Sequence, residues 1–239
     1  MSKRYWIILI SFIVIQLATS GTAALLIAFG FSGTFDELVG ISVAITFSIG
    51  FLVILYLTLT AKPDEEFSRN KASVGETILW CILGFFMVYA AQIVANLIQI
   101  NLFGIEPGSE NTQDIVAWAT AVPFVIIVVS ILVPIMEEIV FRMVIFGSLY
   151  KRFGFWIAAL SSGFIFALVH FDFQHLIVYM LPGIVFAYLY VKTKRIIVPI
   201  MAHVGINSFV MLVQVVFGED IERILEQMEN MQTIIGGLF

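Results

Sequence analysis

Apolar residues run in long unbroken blocks along this chain, and the polar residues collect between them. Seven blocks stand out, roughly Tyr5–Phe31, Leu38–Ala61, Thr77–Ile100, Ile115–Tyr150, Trp156–His170, Leu176–Val191 and Ile196–Phe217. A helix rises ~1.5 Å per residue, so about 20 residues cross the ~30 Å hydrocarbon layer of a bilayer. Most blocks fit one crossing. The fifth and sixth are short, so their connection, FDFQ, must dip into the membrane or thin it. The fourth is over-long, and Pro123 and Pro134 should kink it, because proline removes a helical donor and crowds the preceding turn. The pattern therefore predicts an all-α, polytopic transmembrane helix bundle of about seven spans. Its fourth span is long and kinked, with two half-spans as the alternative.

The first block far exceeds the roughly 7–15-residue apolar region of a cleaved signal peptide, so it reads as a retained span. Residues 1–239 form a single integral membrane domain on this reading. Residues 115–217 hold the polar motifs. Residues 218–239 form a tail whose apolar positions 221, 224, 225, 228 and 231 have the spacing of an amphipathic helix.

Composition agrees with a lipid-solvated chain: 61% of the 239 residues are hydrophobic and 12% charged, against roughly 45–50% apolar in soluble domains. The net charge of −5 comes with no basic patch, which argues against nucleic acid as a partner and leaves membrane lipid as the surroundings. The lone cysteine, Cys81, excludes an intrachain disulfide and a cysteine-ligated metal centre. Charge placement then orients the bundle. With the N-terminus in the cytoplasm and one crossing per block, Lys3, Arg4, Lys62, Arg69, Lys71, Lys151, Arg152, Lys192, Lys194 and Arg195 all fall inside. The connection Asn101–Asp114 has acids but no Lys or Arg, as an outer loop should.

Ionisable groups within a span cost at least ~2.5–3.5 kcal/mol each on insertion scales, which makes them functional candidates. The fourth span carries PIMEEIVFRMVIFGSLY, with Glu137, Glu138 and Arg142. The fifth ends in FIFALVHF, with Phe166 and His170, and the seventh carries MAHVGINS, with His203 and Asn207. Glu138 and Arg142 are four apart, acid before base, and should pair on one helix face. Glu137 is rotated ~100° from Glu138 and lacks such a partner, which leaves it available as a general base or acid. His203 and Asn207 project from one face, and Phe166 sits beside His170. Counted from the cytoplasmic ends of their spans, Glu137 and His170 lie ~20 Å up, His203 ~12 Å and Asn207 ~18 Å. These overlapping depths predict one cavity, entered from the cytoplasm. Gln92, Asn96 and Gln99 form a polar stripe that reads as helix–helix glue. Asp172 and His175 at the outer turn read as structural, with Asp172 orienting His170 as the lesser possibility.

EEIVFR, FALVH and HVGIN together resemble the three motifs of the CAAX protease and bacteriocin-processing family, also called Abi or CPBP membrane proteases. The resemblance is strong over residues 133–210, and the first three spans match only in hydropathy. It implies a helical membrane bundle that cleaves a peptide bond of a membrane-associated or lipidated peptide or protein substrate, with residues 115–217 as the catalytic core. Carried over, Glu137 and His170 would activate water, and His203 with Asn207 would stabilise the oxyanion. Glu138, Arg142 and Phe166 would support the site. The family also implies a bacterial plasma membrane as the setting, with bacteriocin immunity among its roles.

Metal dependence stays open at this level. Glu137, His170 and His203 could form a three-ligand open zinc site, but no HExxH pair pre-shapes one. Asn207 is a poor zinc ligand and a good oxyanion donor. A metal-free attack by glutamate-activated water is therefore favoured, with zinc as the alternative cofactor. Two other functional classes remain: a non-catalytic membrane scaffold or immunity protein of the same fold, and a proton-coupled transporter, which the absence of an internal repeat disfavours.

Overall fold

The computed structural model describes the backbone of all residues except 63, 106–107 and 237–239; past Gly218, Arg223 alone has a described side chain. Helices α1 (Lys3–Ala28), α2 (Phe35–Leu59) and α4 (Val74–Ile98) form the first three spans, with the short α3 (Glu65–Ser68) between the last two. Thr34 and Ser73 open α2 and α4 with reciprocal capping boxes to Glu37 and Glu76, which satisfy backbone donors otherwise orphaned at a helix start. A π-helical turn, Gln99–Phe103, ends α4.

The fourth block divides. Residues Glu110–Ala121 make a separate helix, α5, and the chain breaks at Val122, whose φ of −133° and ψ of 89° reflect the exclusion of helical geometry before Pro123. The long segment Phe124–Leu168 follows: α6 (Phe124–Ile127), a π segment Val128–Leu132, α7 (Val133–Glu138), a π segment Ile139–Phe146, and α8 (Gly147–Leu168). Pro134 enters at the start of α7, directly after a π segment in which the ladder widens.

Among the described residues six helical segments are long and apolar enough to cross a membrane, and the Phe124–Leu168 segment is 45 residues long. At ~1.5 Å per residue it is about twice the hydrocarbon thickness. Gly154 divides it, with φ +75° and ψ −176°, a conformation open essentially to glycine alone. The chain reverses there. Ser162 Oγ on the returning leg donates to the Phe141 carbonyl at 2.8 Å, and the Phe146 and Phe155 rings meet at 6.1 Å. The 45-residue segment is thus two antiparallel legs, which with α9 (Leu176–Thr193) and α10 (Ile197–Gly236) restores the seven predicted spans. The backbone of α10 continues as helix through the tail; the expected amphipathic face of residues 218–239 lies outside the described residues.

The motif-bearing segment is central. It buries 56% of its apolar window, whereas α1 and α4 bury 17% each and present residues such as Leu17 and Phe86 outward. At the end of the bundle with the basic loops, Phe67 of α3 stacks on Tyr190 at 4.1 Å and meets Tyr150 at 5.9 Å. Asp64 pairs with Lys151, Glu66 with Lys194 at 2.7 Å, and Arg195 Nε donates to the Ala72 carbonyl at 2.6 Å. Such exposed pairs contribute little individually, but they hold α3 over a packed aromatic layer.

Candidate active site

Glu137 and Glu138 end α7 and Arg142 lies in the π segment that follows; Glu138 and Arg142 are fully buried, and Glu137 nearly so. Glu138 Oε2 lies 3.3 Å from Arg142 Nε. The contact is an ion pair without hydrogen-bond alignment, since neither atom has a hydrogen-bond partner among the described residues. The guanidinium finds its remaining support in two rings, lying 4.5 Å from the centre of Phe166 and 4.9 Å from that of Phe186. Gly183 makes room for it: a Cβ there would lie 3.5 Å from Arg142 Nη2 and 3.1 Å from the Gly163 backbone.

Glu138 also holds a histidine. Its Oε1 lies 2.9 Å from His203 Nδ1 on α10. That leaves His203 Nε2 on the other edge of the ring, 3.7 Å from Glu137 Oε2. The ring stacks on Phe186 at 4.7 Å. His170 lies just past α8, in the turn rather than the span, with Nδ1 2.8 Å from the Phe166 carbonyl. A carbonyl only accepts, so Nδ1 carries the proton and Nε2 keeps its lone pair. Phe166 packs edge-on against this ring at 4.7 Å, and Tyr179 stacks on it at 4.1 Å.

Asn207, one turn beyond His203, donates from Nδ2 to the Val129 carbonyl at 3.3 Å. Val129 lies in the first π segment, where Val133 donates to Val128, five residues back. The equivalent donor for Val129 would be residue 134, a proline without an N–H. The Asn207 amide fills that vacancy with one of its two N–H groups.

Glu137, Phe166, His170, His203 and Asn207 all line one cavity of about 410 Å³, within the usual range for a ligand site. The lining shows which way that cavity extends. Its lining runs to Asn111, Thr112 and Ile115 of α5 and to Phe171 and Tyr179 near the α8–α9 turn, the end opposite the basic loops. The packed aromatic layer lies on the other side, between the cavity and the end from which entry was expected. Glu137 thus faces His203 rather than His170, which has no carboxylate within 4.0 Å among the described residues.

In the turn after α8, beside the cavity-lining Phe171, Asp172 has other hydrogen-bond partners than His170. Ser109 Oγ donates to its Oδ2 at 2.7 Å, and His175 meets its Oδ1 at 2.8 Å through Nδ1 and at 3.3 Å through the backbone N–H. Ser109 Oγ is also 3.0 Å from the Tyr179 hydroxyl, and Tyr179, stacked on His170, links the two. Of the polar stripe on α4, Gln92 lines the cavity and Gln99 Nε2 donates to the Gln174 carbonyl at 2.8 Å. These side chains line the site or tie down its turn, where helix–helix glue was expected.

A zinc ion would need three converging ligands. Among the described residues no three His, Cys, Asp or Glu side chains form such a group. His203 reaches Glu137 with one nitrogen while Glu138 takes the other. The donor set as arranged does not fit a three-ligand site.

Comparison with known proteins agrees with this motif set. Residues 118–209 match the family described as type II CAAX prenyl endopeptidase Rce1-like. YdiL of Bacillus subtilis (strain 168), provisionally named a membrane peptidase, is 43% identical over the full length of both chains. The membrane-embedded CAAX protease MroQ of Staphylococcus aureus (strain USA300) is 34% identical over 77% of each chain. The chain belongs to the CAAX membrane protease family. The family assignment and the apolar helices make it a multi-pass bacterial membrane protein of protease class. A third relative, the UPF0177 protein YxdF of Lactococcus lactis, is 34% identical over 83 residues, 34% of this chain and 45% of its own. No solved structure matches the chain.

Tyr179, Phe186, Gly183 and the Val129 carbonyl joined the site only in three dimensions. Tyr179 and Phe186 sit in an apolar span like many other rings. Pro134 was the one available signal for Val129, since a proline in a helix always leaves a carbonyl in need of another donor.

Proposed function

We propose that this protein hydrolyses a peptide bond of a membrane-associated peptide or protein, using water activated by Glu137 without a metal. The observation that carries the reading is the division of labour between adjacent glutamates. Glu138 is taken up by Arg142 and His203, while Glu137, whose ion-pair contact among the described residues is His203 Nε2 at 3.7 Å, borders the cavity. In the reaction, Glu137 accepts a proton from water as the water oxygen bonds to the scissile carbonyl carbon. His170 Nε2, with its lone pair turned away from Phe166, accepts the second O–H and fixes the water's orientation. The oxyanion that develops takes hydrogen bonds from the second Asn207 N–H and from His203 Nε2. His203 donates there with a proton on each nitrogen, Nδ1–H held by Glu138, so that Glu138 and the oxyanion together offset His203 and Arg142. Collapse of the tetrahedral intermediate breaks the C–N bond, and the proton held by Glu137 passes to the departing amine.

Membranes from cells producing wild-type protein or Glu137→Gln, compared by mass spectrometry of protein N-termini, test the reading. New N-termini that require Glu137 support it. Identical N-termini at equal protein levels would leave the scaffold reading in its place.

A further inference from the structure

We infer that substrate reaches this site from the extracytoplasmic half of the membrane. Two independent observations meet here. The first is charge. Lys62, Arg69, Lys71, Lys151, Arg152, Lys192, Lys194 and Arg195 collect at one end of the bundle, while the connections 29–36, 99–123 and 169–175 at the other end contain no Lys or Arg. Basic loops stay in the cytoplasm, so the first end faces inward and the second outward.

The second is packing. Between the polar groups and the basic end the bundle is filled by Phe67, Phe146, Ala158, Ala159, Ala187 and Tyr190, all buried. None of these residues lines the cavity. Helix α3 closes over them through its contacts to Lys151 and Lys194. Toward the other end the cavity continues past Asn111, Thr112, Phe171, Val178 and Tyr179. The lower route is therefore blocked by close-packed side chains, and the upper one leads to residues of the outer connections.

A chain reaching Glu137 must then come from above, as a peptide already exported or held in the outer leaflet. The word substrate rests on the hydrolase reading; the direction of the opening does not, and thiol labelling reads the direction without turnover. In a Cys81→Ser background, single cysteines at Thr112, Gln113 and Val178 probe the mouth, and Ser68→Cys probes the α3 side. A membrane-impermeant maleimide on intact cells should label Thr112→Cys, Gln113→Cys and Val178→Cys, and should reach Ser68→Cys only in inside-out vesicles. Gln113 is exposed, so that variant reports orientation even if the cavity variants fold poorly. Labelling of Gln113→Cys only from the cytoplasmic side would overturn the inference. So would a Val178→Cys that reacts from the cytoplasmic side while Gln113→Cys reacts from outside. If the labelling holds but no Glu137-dependent N-termini appear, the hydrolase reading fails and the outward opening stands.

Discussion

The half of the bundle below the paired glutamates and the half above them use polar groups in opposite ways. Below, Arg142 is enclosed: Glu138 balances it, Phe166 and Phe186 face it, and Gly183 makes room for it. Above, polar atoms are held by one partner and left with a second function directed at open space. Asn207 spends one N–H on Val129, His170 spends Nδ1 on Phe166, and His203 spends Nδ1 on Glu138. A buried polar group is costly in either setting. In the lower half the opposite charge of Glu138 and the faces of Phe166 and Phe186 offset part of that cost, and in the upper half access to the cavity does. Substitutions in the two halves should accordingly fail in different assays.

The sharpest contrast is between the neighbouring acids and the arginine. Glu137→Gln removes the proposed base and should lower cleavage by up to ~10⁴-fold, the top of the range for general-base contributions. Its melting temperature in detergent should barely move. Arg142→Ala leaves Glu138 buried without its cation and should cost ~3–5 kcal/mol, seen as lost yield and a lower melting temperature. If Glu137→Gln unfolds the protein while Arg142→Ala does not, the roles of the two acids are reversed.

Asn207 tests the upper half more gently. Removing one oxyanion donor typically costs ~10²–10³ in rate, so Asn207→Ala should remain slow but measurable. Pro134→Ala should sharpen the result, because a new N–H at position 134 could serve the Val129 carbonyl and compete with Asn207. Elemental analysis of purified wild type beside His170→Ala and His203→Ala separates the mechanisms. Substoichiometric zinc with activity surviving chelation supports water activated by glutamate. One zinc per chain that vanishes in both variants would make the two histidines ligands and remove the glutamate mechanism.

The spans were legible in the sequence because lipid demands uninterrupted apolar length, and Glu138–Arg142 because four-residue spacing survives local changes of helical pitch. The division at Gly154 was visible only as a short polar gap. Of the π segments in the fourth block only the first had a local signal, Pro134, and the sequence does not show the widened ladder itself. The same limit explains the cavity's direction. Depth counting located Glu137 and His170 at similar heights, but which side was filled depended on Phe67 and Phe146 meeting Tyr190 and Ala187, residues distant in the chain. Asp172 was assigned to His170 or to structure by proximity alone, and its partner Ser109 lies 63 residues away.

That clasp carries the smallest effect expected. Asp172 sits in the turn between α8 and α9, outside the spanning segments. Burial pushes its carboxyl up, but hydrogen bonds from Ser109 and His175 outweigh burial and hold it below the usual value of 3.8. A carboxylate whose folded value is depressed stabilises the protein above its unfolded value and loses that contribution as pH falls through the folded one. The clasp should thus be intact from neutral pH to about pH 4 and weaken only in more acid solution. Asp172→Asn mimics the protonated form at every pH. At pH 7 it should be less stable than wild type by about 1.5–3 kcal/mol, the scale of one hydrogen bond to a charged group, and melt correspondingly earlier. As pH falls below 3.8 the two melting curves should begin to converge, and they meet once the folded carboxyl itself is protonated. A gap that persists unchanged at pH 3 would mean that the side chain's shape, not its charge, ties Ser109 to the turn. A gap that closes near pH 6 would mean that another group titrates there and that Asp172 does not govern the mouth.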